Sequence, residues 1–185
     1  MTREQIVVDA SVAIALVHGE PDTEAIRRAV DTWFEADVEM VVPDHFWLEV
    51  VNPLARRHRY DSRRLLEALR ELDEFSIRTI ETTRPQLVLA LAFIERYGLT
   101  AYDAVYLALA ETLSARLAST DRVLLGAAGR LGLDPRLDPG TRSGHRLAEE
   151  HAPYGRAAER PVTWPTWPGA GAYLATLRRQ AMAER

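Results

Sequence analysis

The chain has 185 residues, 47% of them hydrophobic, a formal net charge of -4 and no cysteine. That length suits one compact domain with an extension, and the lack of cysteine excludes a disulfide framework and any thiolate metal site. No signal peptide is evident and no apolar run approaches the ~20 residues of a spanning helix, so a cytoplasmic location away from membranes is expected. The acidic balance argues against general affinity for nucleic acid, leaving the distribution of charge as the informative quantity.

Ile6-Val7-Val8 is a β-branched run that ends at Asp9, and Ser11 precedes the helical apolar positions Val12, Ile14, Ala15 and Leu16. Residues 22–35 place Ile26, Val30, Trp33 and Phe34 on one helical face, expected to meet the core. Val41-Val42 leads through Pro43 and Asp44 into a helix that carries Glu49 among Phe46, Trp47, Leu48, Val50 and Val51. Glu49 either faces water there or is an acid set beside an apolar surface. Pro53 cannot donate to the Glu49 carbonyl four residues back, so it either kinks this helix toward the sheet or ends it. Asn52 falls on the face of Glu49 and is expected to orient its carboxylate.

Arg56, Arg57, His58 and Arg59, followed by Arg63 and Arg64, form a basic cluster. It is either a phosphate-binding patch or a solvated helix end favoured by the dipole. Leu65, Leu66, Leu69 and Leu72 make a stripe expected to be mostly core, and residues 76–80 read as a strand. Pro85 opens and Gly98 stops a helix over residues 87–97. Thr100 then starts another, with Asp103 in its first turn in an approximate capping box. Leu117-Ala118-Ser119 runs through Thr120 into Asp121, ahead of the apolar Val123, Leu124 and Leu125. Strands alternating with helices, without tight hairpin signals, predict an α/β fold with a parallel sheet covered on both faces. A domain over residues 1–133 is expected to be followed by a Pro/Gly-rich extension over 134–185. That extension contains Trp164 and Trp167, expected to pack, and a short helix over 173–182 with a basic end at Arg178, Arg179 and Arg185.

Asp9 and Asp121 thus sit at strand ends, and Glu49 and Asp103 lie early in helices. In open α/β sheets ligands bind outside the carboxyl ends of the strands, so all four acids can face one mouth and form a divalent-metal site. Each aspartate also has a local role open to it, as a helix cap. His18, His45, His58, His145 and His151 show no catalytic pairing. A phosphatase of the haloacid-dehalogenase type would need an aspartate at position 11, where Ser11 stands.

Val8-Asp9-Ala10-Ser11, the run from Leu48 through Glu49 and Asn52 to Leu54, the run Gly98-Leu99-Thr100-Ala101-Tyr102-Asp103-Ala104 continuing to Ala110, and Leu117-Ala118-Ser119-Thr120-Asp121 resemble, in order and spacing, the motifs of PIN-domain nucleases. Among these the chain is most similar to VapC toxins of toxin–antitoxin pairs, over about residues 5 to 133. Ser119 stands where the family often has threonine, and keeps the hydroxyl. The resemblance implies a PIN-like three-layer sandwich and an endoribonuclease in which Asp9, Glu49, Asp103 and Asp121 hold one or two Mg²⁺ or Mn²⁺ ions. An all-oxygen donor set suits these ions better than zinc. Products with 5′-phosphate and 3′-hydroxyl ends would follow. Ser11, Asn52 and Ser119 would support the site, and Arg56, Arg57 and Arg59 would hold RNA. An antitoxin laid over residues 44–72 and a homodimer are further family expectations. A PIN nuclease for RNA maturation or structured DNA, and a catalytically silent PIN scaffold, are the alternatives.

Overall fold

Five short strands alternate with seven α-helices in a computed structural model that describes residues 3–19 and 21–138. The strands are β1 (Gln5–Val8), β2 (Glu39–Pro43), β3 (Arg78–Ile80), β4 (Arg116–Ala118) and β5 (Gly132–Leu133). The helices are α1 (Ala10–His18), α2 (Thr23–Glu35), α3 (Phe46–Arg56), α4 (Ser62–Asp73), α5 (Arg84–Tyr97), α6 (Ala101–Leu113) and α7 (Arg122–Ala128). Every strand pair is parallel and the order is β3-β2-β1-β4-β5. Val7 stands opposite Val41 on one side and Leu117 on the other.

This order decides where a ligand can bind. The chain steps from β1 outward to β2 and β3, then returns to the other side of β1 for β4 and β5. The connections leaving β1 and β4 therefore diverge, opening a crevice above their carboxyl ends. Right-handed crossovers set α1 to α4 on one face and α5 to α7 on the other. The contacts agree: α1 packs on α2, α3 and α4, whereas α6 packs on α5, α7, β1, β2 and β4. Residues 104–110 of α6 are buried on every side, as befits a helix held between the sheet and further helices. The central strands are buried apolar runs, the pattern of a sheet covered on both faces. The expected α/β sandwich is present.

Local signals explain most of the element ends. Thr83 and Gln86 form a reciprocal capping box, and Pro85 sits in the first turn of α5, which begins at Arg84. Gly98 closes that helix in a left-handed conformation with φ 67°. Ser76 also has positive φ, so the third strand starts only at Arg78. Pro53 lies inside α3, which continues to Arg56; it does not end the helix.

Two expected core assignments are corrected. Phe34 is 60% exposed while Ile26, Val30 and Trp33 are buried, because the face of α2 that meets the sheet is narrower than its apolar pattern. In the α4 stripe Leu72 is buried but Leu66 is 51% exposed and Leu69 only partly covered. That helix flanks α1 and α3 on the outside, so part of its apolar face has no element to meet. Among the described residues no helix is long and apolar enough to cross a membrane. The tryptophans, the helix and the basic end expected after residue 138 lie outside the described residues.

Candidate metal centre

Asp9 directly follows β1 and caps α1 in extended conformation, which puts its carboxylate in the crevice beside β4. It is only 6% exposed. Its Oδ2 accepts from the Ser11 hydroxyl at 2.5 Å, the Ser119 hydroxyl at 2.8 Å and the Ser11 N–H at 3.4 Å. Burial raises the Asp9 carboxyl above the ordinary range, and the nearby charge of Asp103 adds to this, against the pull of the serine hydrogen bonds.

Ser119 carries the connection to the fourth acid. It is fully buried, and its Oγ accepts from the Asp121 N–H at 2.9 Å while donating to Asp9. Ser11 performs the matching task, its Oγ accepting from the Thr120 N–H at 3.0 Å. Asp121 caps α7 through Oδ1, which accepts from Val123 at 2.6 Å and Leu124 at 3.0 Å. Arg136 braces this corner from below the last strand, donating to the Thr120 carbonyl at 3.2 Å while forking onto Asp134.

Glu49 lies in the first turn of α3 with its side chain 27% exposed, between the two positions foreseen for it. Its Oε2 accepts from the Tyr106 hydroxyl at 2.7 Å and lies 3.4 Å from His45 Nε2. Burial lifts its carboxyl from 4.5 to about 7; the Tyr106 hydrogen bond opposes this and the charges of Asp9 and Asp103 reinforce it. Burial also lowers the His45 imidazole below its ordinary range, so at neutral pH the ring is uncharged and its contact with Glu49 is not an ion pair. His45 Nε2 is buried without a hydrogen-bond partner among the described residues. Asp103 accepts from the Thr100 hydroxyl at 2.7 Å through Oδ2. Its own N–H donates back to Thr100 at 3.2 Å, so the expected capping box closes through the hydroxyl.

The four acids thus border one mouth, three of them within reach of one another's charge and Asp121 joined through Ser119. Among the described residues they do not form a ready cage of three or more metal-holding side chains. They do share one arrangement: each is hydrogen-bonded through a single oxygen. Asp9 Oδ1, Glu49 Oε1, Asp103 Oδ1 and Asp121 Oδ2 accept no hydrogen bond from the described residues. Capping and ligation are therefore compatible duties of one carboxylate. These free, hard, anionic oxygens fit Mg²⁺ or Mn²⁺.

A groove of about 610 Å³ opens from this mouth between Glu49, Asn52, Arg56, His45, Leu48 and Tyr102. Asn52 is exposed in it and does not hydrogen-bond Glu49; Tyr106, from the facing helix, takes the place expected for it. Of the basic cluster Arg56 lines the groove, whereas Arg57 and Arg59 are exposed outside it. Arg63 pairs with Glu67 at 3.0 Å and Arg64 lies over the Tyr60 ring at 4.0 Å. Two site residues escaped the sequence reading. His45 precedes Glu49 by four positions and Tyr106 follows Asp103 by three, spacings that share a helix face without saying which element that face meets. His18 and His58 face each other with ring centroids 3.6 Å apart, holding the end of α1 against the loop after α3. His145 and His151 lie outside the described residues.

The PIN domain family model matches residues 6–129. The chain is 35% identical over 124 residues to Ribonuclease VapC3 of Pyrobaculum aerophilum, covering 65% of this chain and 92% of that protein. It is likewise 35% identical over 127 residues to Ribonuclease VapC3 of Mycobacterium tuberculosis, covering 67% and 88%. Its fold is similar to that in a toxin–antitoxin complex from Klebsiella pneumoniae, with a TM-score of 0.55 at 18% identity over 70% of this chain and 97% of that one.

Proposed function

We propose that this chain, which belongs to the PIN-domain family, is a metal-dependent endoribonuclease and the toxin of a type II toxin–antitoxin pair. The observation that carries the chemistry is the set of four carboxylates at the topological switch point, each anchored by one oxygen and open at the other. Asp9, Glu49, Asp103 and Asp121 would hold Mg²⁺ or Mn²⁺. When bound, such an ion lowers the pKa of water, neutralises the phosphate and stabilises the departing oxygen. Around it, Ser11 and Ser119 fix Asp9, Thr100 fixes Asp103 and the α7 amides fix Asp121. Arg56 offers a phosphate contact where the groove leaves the acids. Hydrolysis by in-line attack of water would leave 5′-phosphate and 3′-hydroxyl ends, with the RNA 2′-hydroxyl uninvolved.

The reading includes a protein partner. Leu48 is 73% exposed and continues the groove into a shallow apolar depression of about 460 Å³ with Trp47, Val51, Leu66 and Leu69. An exposed patch of this kind suits an antitoxin segment, and the similar fold seen in a toxin–antitoxin complex supports that part of the reading; a homodimer is proposed with it. Incubating purified protein with total RNA, with Mn²⁺ or with chelator, tests the proposal. Discrete metal-dependent cuts with 5′-phosphate ends, absent in Asp9→Asn, are expected. Folded, antitoxin-free protein that leaves RNA whole in Mn²⁺ would overturn it in favour of a silent scaffold or a DNA-directed enzyme.

A further inference from the structure

We propose that Tyr106 is a positioning residue for the nuclease reaction, its hydroxyl reaching from α6 to the Glu49 carboxylate on α3 and setting how that carboxylate stands in the mouth. The inference rests on the metal-site reading above.

Tyr106 is completely buried and is the largest fully buried side chain among the described residues. A phenol in such a place needs a partner for its hydroxyl, and it finds one on a different element. The hydroxyl donates to Glu49 Oε2 at 2.7 Å on α3. Burial, with the charges of Asp9 and Glu49, raises the phenol above its ordinary range.

The tether matters because α3 lacks one backbone hydrogen bond at this turn, where Pro53 has no N–H for the Glu49 carbonyl. Fixing Glu49 Oε2 from the rigid, fully packed α6 leaves Oε1 as the oxygen available to a cation. The residue touches neither substrate nor ion and acts through Glu49.

Tyr106→Phe keeps the ring and removes only the bridge. The full chain, Tyr106→Phe, Glu49→Gln and the double variant are compared by thermal unfolding, Mn²⁺ calorimetry and RNA cleavage against Mn²⁺ concentration. The wild type is expected to bind Mn²⁺, and Tyr106→Phe to unfold cooperatively, bind Mn²⁺ about tenfold more weakly and lose kcat while keeping KM for RNA. In the Glu49→Gln background the same change is expected to alter Mn²⁺ affinity less than twofold, since its effect runs through that carboxylate. Wild-type Mn²⁺ affinity and kcat in Tyr106→Phe would overturn the inference and leave the metal site standing. An equal loss with and without Glu49 would also overturn it, revealing a general structural role. Failure of the wild type to bind Mn²⁺ would refute the metal site beneath it, and the inference with it.

Discussion

Replacing Glu49 by glutamine is expected to make the metal-free protein more stable at about pH 8 while abolishing cleavage. The Glu49 carboxyl is raised from 4.5 to about 7, first by burial and then by the charges of Asp9 and Asp103, against the hydrogen bond from Tyr106. The folded chain therefore holds this proton more tightly than the unfolded one. Stability from that proton is fully present below about pH 4.5 and is lost as pH rises through about 7. At about 1.4 kcal/mol for each tenfold change in proton affinity, the full rise is worth on the order of 3 kcal/mol. With the side chain 27% exposed, solvent screening reduces this to about 2 kcal/mol. Glutamine is neutral throughout and keeps an oxygen for the Tyr106 hydroxyl. Asp9 is raised in both proteins and largely cancels from the comparison. Urea unfolding in chelator should show the two proteins equally stable near pH 4.5, with the variant ahead by about 2 kcal/mol near pH 8. Saturating Mn²⁺ should close the gap by stabilising the wild type through binding. A variant no more stable than wild type near pH 8, or a difference independent of pH, would refute the reasoning.

Three further outcomes follow from single contacts. Ser119→Ala removes a buried hydroxyl that serves Asp9 and the Asp121 N–H. It should cost about 1–3 kcal/mol of stability and weaken Mn²⁺ binding; unchanged urea midpoints and calorimetry would count against that role. Arg56→Ala should raise KM for RNA with little change in kcat, and lower the salt dependence of log KM by about one phosphate contact; a titration of cleavage against NaCl reads this directly. Thr100→Ala deletes the cap of α6 and the hydroxyl that holds Asp103, so a loss of about 1 kcal/mol together with slower cleavage is expected, measured by thermal unfolding and initial rates.

The aspartates of the mouth were legible in the sequence because their placement is local. Asp9 and Asp121 follow short apolar runs and precede helices, and the same signals that make them caps put them at the carboxyl ends of β1 and β4. That both ends adjoin at a switch point is a property of strand order, which the alternation of strands and helices does not fix. Contacts across elements were not legible. Asn52 is close to Glu49 along α3, yet the hydrogen bond comes from Tyr106 on α6, whose approach is set by packing rather than by spacing. His45 was passed over for a similar reason, since its place beside Glu49 depends on where α3 begins. Phe34 and Leu66 show the limit of periodicity: it marks the apolar side of a helix without saying how far a neighbour covers it. β5, only Gly132–Leu133, is too short to leave a pattern and exists because β4 offers it an edge.

The central claim, that the free oxygens of four acids hold a catalytic cation, is tested most directly by anomalous diffraction from crystals soaked in Mn²⁺. The account predicts a peak at about 2–2.5 Å from oxygens of Asp9 and Asp103, with Glu49 and Asp121 reached directly or through water, and no peak there in Asp9→Asn. A fully soaked wild-type crystal with no peak at this mouth, or one bound elsewhere on the chain, would contradict it.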